Sequence, residues 1–456
     1  MIVMKFGGSS LESSAAIICV ADIVKARLVR RPVVVVSAMG KTTNSLLAIA
    51  QNAAWRNRVE AMAQLGALEE FHRREANALV AKNKSGELET ILDLQFKDLR
   101  EIVERLCSAG AVSPQSLDAI TGYGEHLSSV IVTFALEAQD IPAVHVDAQR
   151  VIVTDSNFTR AAPILPDTYQ LVANSIRGIG QERVPVMGGF IGATRDGIPS
   201  TLGRGGSDFT ASLVGAAIDA EEIQIWTDVD GLLTCDPKLV PDAHAVRTIS
   251  FDEAAELAYF GAKVLHPATI APAKEKNIPV LILNSRRPDA RGTRITAELA
   301  PCANVLKSIA CKRDITVVNI RSNRMLRAHG FLRRIFEAFD RFETSVDMVA
   351  TSEVSVSLTI DDDRRLSGVC RELAPFAEVT VEKQQTILCA VGENIGRTPG
   401  VAARVFRALG QCNVAMISQG ASRLNLGVVV ASGNSANAAE ALHREFFTEL
   451  DPAVFD

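Results

Sequence analysis

Residues 2–10 read Ile2-Val3-Met4-Lys5-Phe6-Gly7-Gly8-Ser9-Ser10, a short apolar strand that runs into a lysine and then two glycines. Without Cβ atoms the glycines let backbone N–H groups close on anionic oxygens. The stretch from Ser10 to Arg30 has helical spacing, with an apolar stripe at Ala16, Ile17, Val20, Ile23 and Val24. Strand, glycine turn and helix N-terminus in that order predict an anion cradle. Two further stretches share its chemistry: Thr201-Leu202-Gly203-Arg204-Gly205-Gly206-Ser207-Asp208 and Trp226-Thr227-Asp228-Val229-Asp230-Gly231. Together the three predict a phosphoryl-transfer site. Neither G-x-x-x-x-G-K-[ST] nor G-x-G-x-x-G occurs, so the nucleotide site expected is neither a P-loop nor a Rossmann site.

The chain has 456 residues, 47 % of them hydrophobic, enough for about three domains with buried cores. A net charge of −5, spread along the chain, gives no electrostatic case for nucleic acid or an anionic membrane surface. The eight cysteines form no C-x-x-C pair and the seven histidines no H-x-x-x-H, which argues against structural zinc. The chain opens on a strand rather than a signal peptide, and its longest apolar runs fall far short of a bilayer span. A cytoplasmic protein with reduced thiols is expected.

The runs Val33–Val36, Val184–Met187, Ile223–Trp226 and Pro279–Leu283 are apolar without alternation, as in strands buried on both faces. Helical stretches separate them, which predicts an α/β fold: a three-layer α/β/α arrangement with a mostly parallel central sheet, over about residues 1–295. Ligands then gather at the carboxyl ends of the strands, where the glycine motifs fall. Residues 57–110 read as a helical insertion, and a turn-rich connection places a boundary near 296–304. Beyond it the chain repeats itself. Gly330–Phe339 superimposes on Gly400–Leu409 at an offset of 70 residues, and Ser352–Val356 on Ser422–Leu426 at the same offset. Two small α+β modules of ferredoxin-like type are implied.

Phosphoryl transfer asks for positive charge on the migrating oxygens and little covalent help, so Lys5 with the Gly7 and Gly8 amides is the natural clamp. Asp208, at the start of a helix expected over Phe209 to Ile218, could orient that lysine and hold the geometry around Mg²⁺. It could equally be an ordinary first-turn carboxylate. Arg204, flanked by glycines, offers a planar two-pronged donor suited to a carboxylate. Glu125 would take an ammonium group, with a capping carboxylate as the alternative, so the pair could read both ends of an α-amino acid. Trp226, Thr227 and Asp228 end a strand where ribose and adenine could lie, although Trp226 could be core.

In its motifs the chain resembles the aspartate kinases (aspartokinases) of the amino acid kinase superfamily, monofunctional and lysine-sensitive, with tandem ACT regulatory modules. The likeness rests on Lys5–Ser10, Ser37-Ala38-Met39 with Thr43-Asn44, Gly122–Ser128, Thr201–Asp208, Trp226–Asp228 and Phe260–Pro267. The resemblance implies ATP-dependent phosphorylation of the L-aspartate side-chain carboxylate to 4-phospho-L-aspartate, with Mg²⁺ and without a covalent enzyme intermediate. It opens lysine, threonine and methionine biosynthesis. It implies Lys5, Gly7, Gly8 and Asp208 as catalytic, Thr43, Glu125, Arg204 and Ser207 as substrate-binding, and Ser37, Trp226, Thr227, Asp228, Lys238 and Lys263 as nucleotide-binding. No side-chain metal ligand is expected. Leu233 stands where lysine-sensitive relatives often carry a tyrosine.

For the tail the resemblance implies feedback inhibition, by L-lysine first of all, at Met325, Gly330, Phe331, Leu332, Ser345, Val346, Asp347, Ser352 and Glu353. Asp347 and Glu353 could attract an ε-ammonium or simply be solvated. Ala328 replaces a serine often found in the lysine-sensitive group. The expected division is a catalytic domain at 1–295, a first ACT module at 303–385 whose opening strand, 303–311, could pair with the second, and a second module at 386–456. A homodimer or dimer of dimers through these modules is expected, and a fused homoserine dehydrogenase is not. Two rivals stay open: another kinase of the superfamily with a different acceptor, and a catalytically silent amino-acid sensor.

Overall fold

The computed structural model describes residues 1–80, 85–179, 182–261, 267–299, 302–322 and 329–456. They divide into two compact units, Met1–Gly231 with Leu265–Glu298, and Leu232–Val264 with Leu299–Asp456. By compactness residues 232–261, within the range expected for the catalytic domain, group with the C-terminal unit.

The first unit is built on strands β1 (Ile2–Phe6), β2 (Pro32–Val36), β3 (Ala143–Val146), β4 (Val184–Gly188), β5 (Glu222–Thr227), β6 (Val280–Asn284) and β7 (Thr293–Thr296). Their order within this unit is β7-β6-β5-β1-β2-β4-β3. Every pairing is parallel except β6 with β7. β1, β2 and β4 are buried at every residue, which explains why their sequences lack alternation. Fully burying each of Ile2, Val3, Met4 and Phe6 contributes roughly 1.5–3 kcal/mol.

Lys5 pairs with Val35 on one side and Ile225 on the other, so its side chain emerges at the carboxyl end of a central strand. Helix α1 (Ser14–Lys25) begins four residues later than the sequence suggests, after a 3₁₀ turn at Gly8–Leu11. Its N-terminus is already occupied: Ser13 Oγ accepts the N–H of Ala16, and Glu75 accepts that of Ser14. The α1 end of the cradle expected there is therefore taken up by the protein's own groups.

Residues 57–110 form α3 (Arg58–Leu79) and α4 (Ser85–Ala109), which follow α2 (Thr42–Ala54) and are both helical as expected. Two shorter elements, α5 (Pro114–Thr121) and α6 (Tyr123–Ala138), carry the chain back to the sheet. Later come α7 (Leu165–Ile179) and α8 (Gly206–Ala217). None of the helices described is long and apolar enough to cross a membrane.

In the second unit a six-stranded antiparallel sheet contains two long strands, β8 (Ser308–Arg321) and β11 (Glu378–Val391). With β9 (Val349–Thr351), β10 (Ser355–Ile360), β12 (Val414–Gln419) and β13 (Asn425–Ala431) the order is β9-β10-β8-β11-β13-β12. β8 pairs with β11 along both halves, its first half, Ser308–Lys312, with Ile387–Val391, and its second half pairs with β10 as well. The opening strand is thus spliced beside the second repeat.

The 70-residue repeat has a physical counterpart. Gly330 and Gly400 both cap a helix in the left-handed region, at φ 78° and 81°, before Phe331–Arg341 and Val401–Ala408. Among the described residues nothing lies within 4 Å of a Cβ added at either. A change to alanine at Gly400 would meet backbone strain alone. Gly400→Ala is expected to lower the stability of this unit by about 1–2 kcal/mol, and Gly400→Asn by less, since asparagine tolerates that region. Urea-unfolding midpoints of the two variants measure the difference; equal losses would assign the effect to packing.

Candidate active site

One cavity of about 560 Å³ opens at the carboxyl ends of the central strands, and its lining includes Lys5, Gly8, Ser37, Thr43, Glu125, Arg204, Ser207 and Asp208. Six chain segments spread over about 200 residues meet there. Ala38 is the wedge that joins three of them. A Cβ on Gly8 would come within 2.9 Å of its carbonyl oxygen, and one on Gly124 within 2.7 Å of its Cβ. Glycine at both positions is what lets β1, the loop after β2 and the start of α6 close on one another.

Lys5 Nζ lies 2.6 Å from Asp208 Oδ1, and both side chains are largely buried. Asp208 stands in the first turn of α8, whose cap Gly205 is left-handed at φ 73° and supplies no side-chain bond to the helix N–H groups. The helix N-terminus that faces the cavity is that of α8, with Gly205, Gly206 and Ser207 on its wall. Gly203 is also left-handed, at φ 75°, so Arg204 stands on a tight turn and is exposed.

Gly7 departs from its expected role. Its N–H donates to the carbonyl of Trp226 at 3.0 Å, which fixes β1 to β5 and removes that amide from any clamp.

Glu125 is fully enclosed in the first turn of α6. Oε1 accepts the Ala38 N–H at 3.0 Å, and Oε2 is buried without a hydrogen-bond partner among the described residues. Burial pushes this carboxyl up to about 8, against the opposing pull of the Ala38 N–H and, more weakly, Lys5. An orphaned buried carboxylate oxygen on a cavity wall is a receptor for a cation or a donor.

The third glycine stretch behaves differently. Trp226 has no exposed surface; its ring stacks on Phe6, its Nε1–H donates to Gln224, and Arg27 lies over its face. The side chain is core and cannot form a wall for a base. Thr227 donates to Asp228, and the Thr227 carbonyl accepts from the Ser285 backbone. Lys238 is exposed in the second unit, and Lys263 lies outside the described residues.

Of the effector residues, Met325 lies outside the described residues. Phe331 packs in the core of the first repeat against Phe376, which turns its ring away from solvent. Val346 packs on the same core, whereas Gly330, Leu332, Ser345, Ser352 and Glu353 are exposed. Asp347 is neither solvated nor vacant: Lys312 Nζ sits 2.7 Å from its Oδ2.

Lys41, Asn44, Asp118 and Thr201 also line the cavity and were missed as site residues. Asn44 and Thr201 stand inside quoted motifs and could have been read there; Asp118, in an unremarkable helical stretch, left no local signal.

A model of the amino acid kinase family matches residues 1–284, and a model of the ACT domain matches residues 388–446. The chain belongs to the amino acid kinase family. Relatives matched along nearly its whole length include aspartokinases. It is 38 % identical to aspartokinase 2, chloroplastic, of Arabidopsis thaliana over 99 % of this chain and 85 % of that one. Identity to the lysine-sensitive aspartokinase 3 of Escherichia coli is 34 %, over 98 % of this chain and 99 % of that one. The solved structure of E. coli aspartokinase III in complex with aspartate and ADP, its R-state, matches with a TM-score of 0.86 at 33 % identity, covering 98 % of this chain and 100 % of that one. The same enzyme with lysine and aspartate, its T-state, matches at 0.85 and 33 %, over 98 % and 99 %.

Because the Glu125 carboxyl is raised from 4.5 to about 8, the folded protein holds a proton between those values that the unfolded chain has released. Stability therefore falls as pH rises through this window, and the burial penalty is complete above it. Glu125→Gln keeps an acceptor for Ala38 and carries no charge. The variant is expected to match the parent at about pH 4.5 and to exceed it in melting temperature at about pH 8.5; a pH-independent difference in ligand-free thermal denaturation would contradict the assignment.

Proposed function

We propose that the chain is an aspartate kinase that transfers the γ-phosphoryl group of ATP to the side-chain carboxylate of L-aspartate. A carboxylate oxygen forms a bond to the γ-phosphorus, the bond to the β–γ bridging oxygen breaks, and 4-phospho-L-aspartate and ADP leave. The acceptor is already ionised at neutral pH, so no general base is needed, and catalysis reduces to alignment and charge neutralisation. The observation that carries this reading is the convergence of Lys5, Arg204 and the half-unpartnered Glu125 on one cavity.

In this reading Lys5 neutralises the travelling phosphoryl oxygens, Asp208 holds its ammonium in place, and the α8 N-terminus with Gly8 adds backbone donors. Arg204 grips the α-carboxylate of the substrate, Glu125 its ammonium, and Thr43 and Ser207 supply hydroxyls. Ser37, Thr227, Asp228, Lys238 and Lys263 stay assigned to the nucleotide, Trp226 through its backbone only. Among the described residues no set of three or more acidic, histidine or cysteine side chains forms a metal site. Mg²⁺ would enter as part of the nucleotide substrate.

The division at 1–295, 303–385 and 386–456 is retained as a functional proposal, with the tail binding a free amino acid. The E. coli relative solved with lysine supports L-lysine as that effector. The exposed edge strands β9 and β12, with Val349 and Ile417 open to solvent, support assembly through the tail into a homodimer or dimer of dimers. The cysteines are all free, which supports a reducing compartment such as the cytoplasm.

Lys5→Ala is expected to lower kcat by orders of magnitude with a modest change in aspartate KM; near-normal turnover of the purified variant would remove the role given to Lys5. Arg204→Lys loses a bidentate contact worth roughly 1.5–3 kcal/mol, so aspartate KM should rise about tenfold or more while ATP KM holds. An unchanged aspartate KM would count against the assignment. Aspartate binding requires ionised Glu125, so aspartate KM should fall as pH rises toward about 8 and level off beyond it. A flat profile in steady-state assays would detach Glu125 from the ammonium.

A further inference from the structure

We propose that Asp118 is a positioning residue for the amino-acid half of the site: its carboxylate fixes the loops bearing Thr159 and Thr201, and so sets where Arg204 presents its guanidinium. The proposal rests on the aspartate kinase reading above.

Asp118 sits in the last turn of α5, is only 2 % exposed and lines the cavity. Its Oδ2 accepts the backbone N–H of Thr159 at 2.8 Å and that of Thr201 at 2.9 Å, and its Oδ1 accepts the Thr201 hydroxyl at 2.7 Å. All three donors are neutral, and among the described residues Asp118 forms no ion pair. A buried carboxylate without a cation is costly unless donors satisfy it, and this one takes two backbone N–H groups and a hydroxyl from two segments 42 positions apart, residues 159 and 201.

Those two segments lead to Arg204. Thr159 is a β-branched residue at φ 70°, a conformation that persists only where the surroundings impose it. Its N–H bond to Asp118 is such a constraint. Its carbonyl oxygen lies where a Cβ on Gly203 would come within 3.0 Å, and the N–H of Ala161 donates to the Thr201 carbonyl at 2.9 Å. The turn at Gly203 is therefore pressed against the Thr159 loop and tethered three residues behind Arg204. Arg204 has no acidic partner among the described residues, so its backbone sets its direction. Asp118 holds that backbone from both sides.

An asparagine could preserve the arrangement. Its oxygen would accept both N–H groups, and its amide would donate to the Thr201 hydroxyl, which rotates to accept. Steady-state kinetics on the full-length chain test the idea. Asp118→Ala should raise aspartate KM about tenfold or more with ATP KM within about twofold, while Asp118→Asn should stay within about threefold of the parent for both.

An unchanged aspartate KM in Asp118→Ala, an equal rise in both KM values, or no rescue by asparagine would overturn the proposal. Should Asp118→Ala fail to fold, Thr201→Val removes the hydroxyl bond alone and should raise aspartate KM about three- to tenfold without moving ATP KM; no rise overturns the proposal equally. If the parent releases no ADP with aspartate, the kinase reading falls and takes this inference with it. A parent that turns over normally beside variants with unmoved KM removes this inference alone.

Discussion

The strand Ile2–Phe6 is hydrogen-bonded on both sides in a parallel sheet and buried at every residue, and this confinement organises the catalytic unit. Parallel strands end together, so the loops that leave them share one rim. Lys5 is the second-last residue of that strand and Trp226 the second-last of its neighbour. The Gly7 N–H to Trp226 carbonyl bond ties the two strands off just beyond Lys5. What remains at the rim is a lysine ammonium with little solvent around it and Asp208 at its side.

A buried ammonium–carboxylate pair is a poor stabiliser, because the desolvation of both ions offsets much of their attraction. The Lys5–Asp208 pair makes more sense as a means of keeping a charged lysine aimed into the cavity. Asp208 is set by the first turn of α8, whose dipole faces the same way, so one helix end both orients the lysine and offers its own N–H groups. Glu125 complements this from the opposite sign. Its carboxyl is held in a place where it gains charge readily only when a cation arrives.

The parallel sheet, the helical insertion and the repeated modules were legible because burial on two faces erases alternation, amphipathic helices keep a period, and a duplicated glycine cap repeats its spacing. That Lys5, Arg204 and Glu125 would face one cavity was legible because glycines beside a charged residue have little packing purpose. Three readings went astray for identifiable reasons. Gly7 was taken for an amide donor because a sequence does not show that a neighbouring strand consumes the N–H. The α1 N-terminus looked open because Glu75, which accepts the Ser14 N–H, is 61 residues away. Trp226 sits at a strand end that suggests a ligand, yet its ring turns inward onto Phe6.

By itself, the order of residues determined which side chains carry charge, where the backbone could bend, and that a phosphoryl-transfer site and a duplicated tail share one chain. These are properties of single residues and of short periods, and they need no neighbours. Tertiary structure alone decided which groups are left with unmet bonding capacity. Glu125 Oε2 is orphaned, Asp347 is held by Lys312, and Asp118 gathers two loops, because the atoms that satisfy or deny each carboxylate come from segments the chain brings together only on folding.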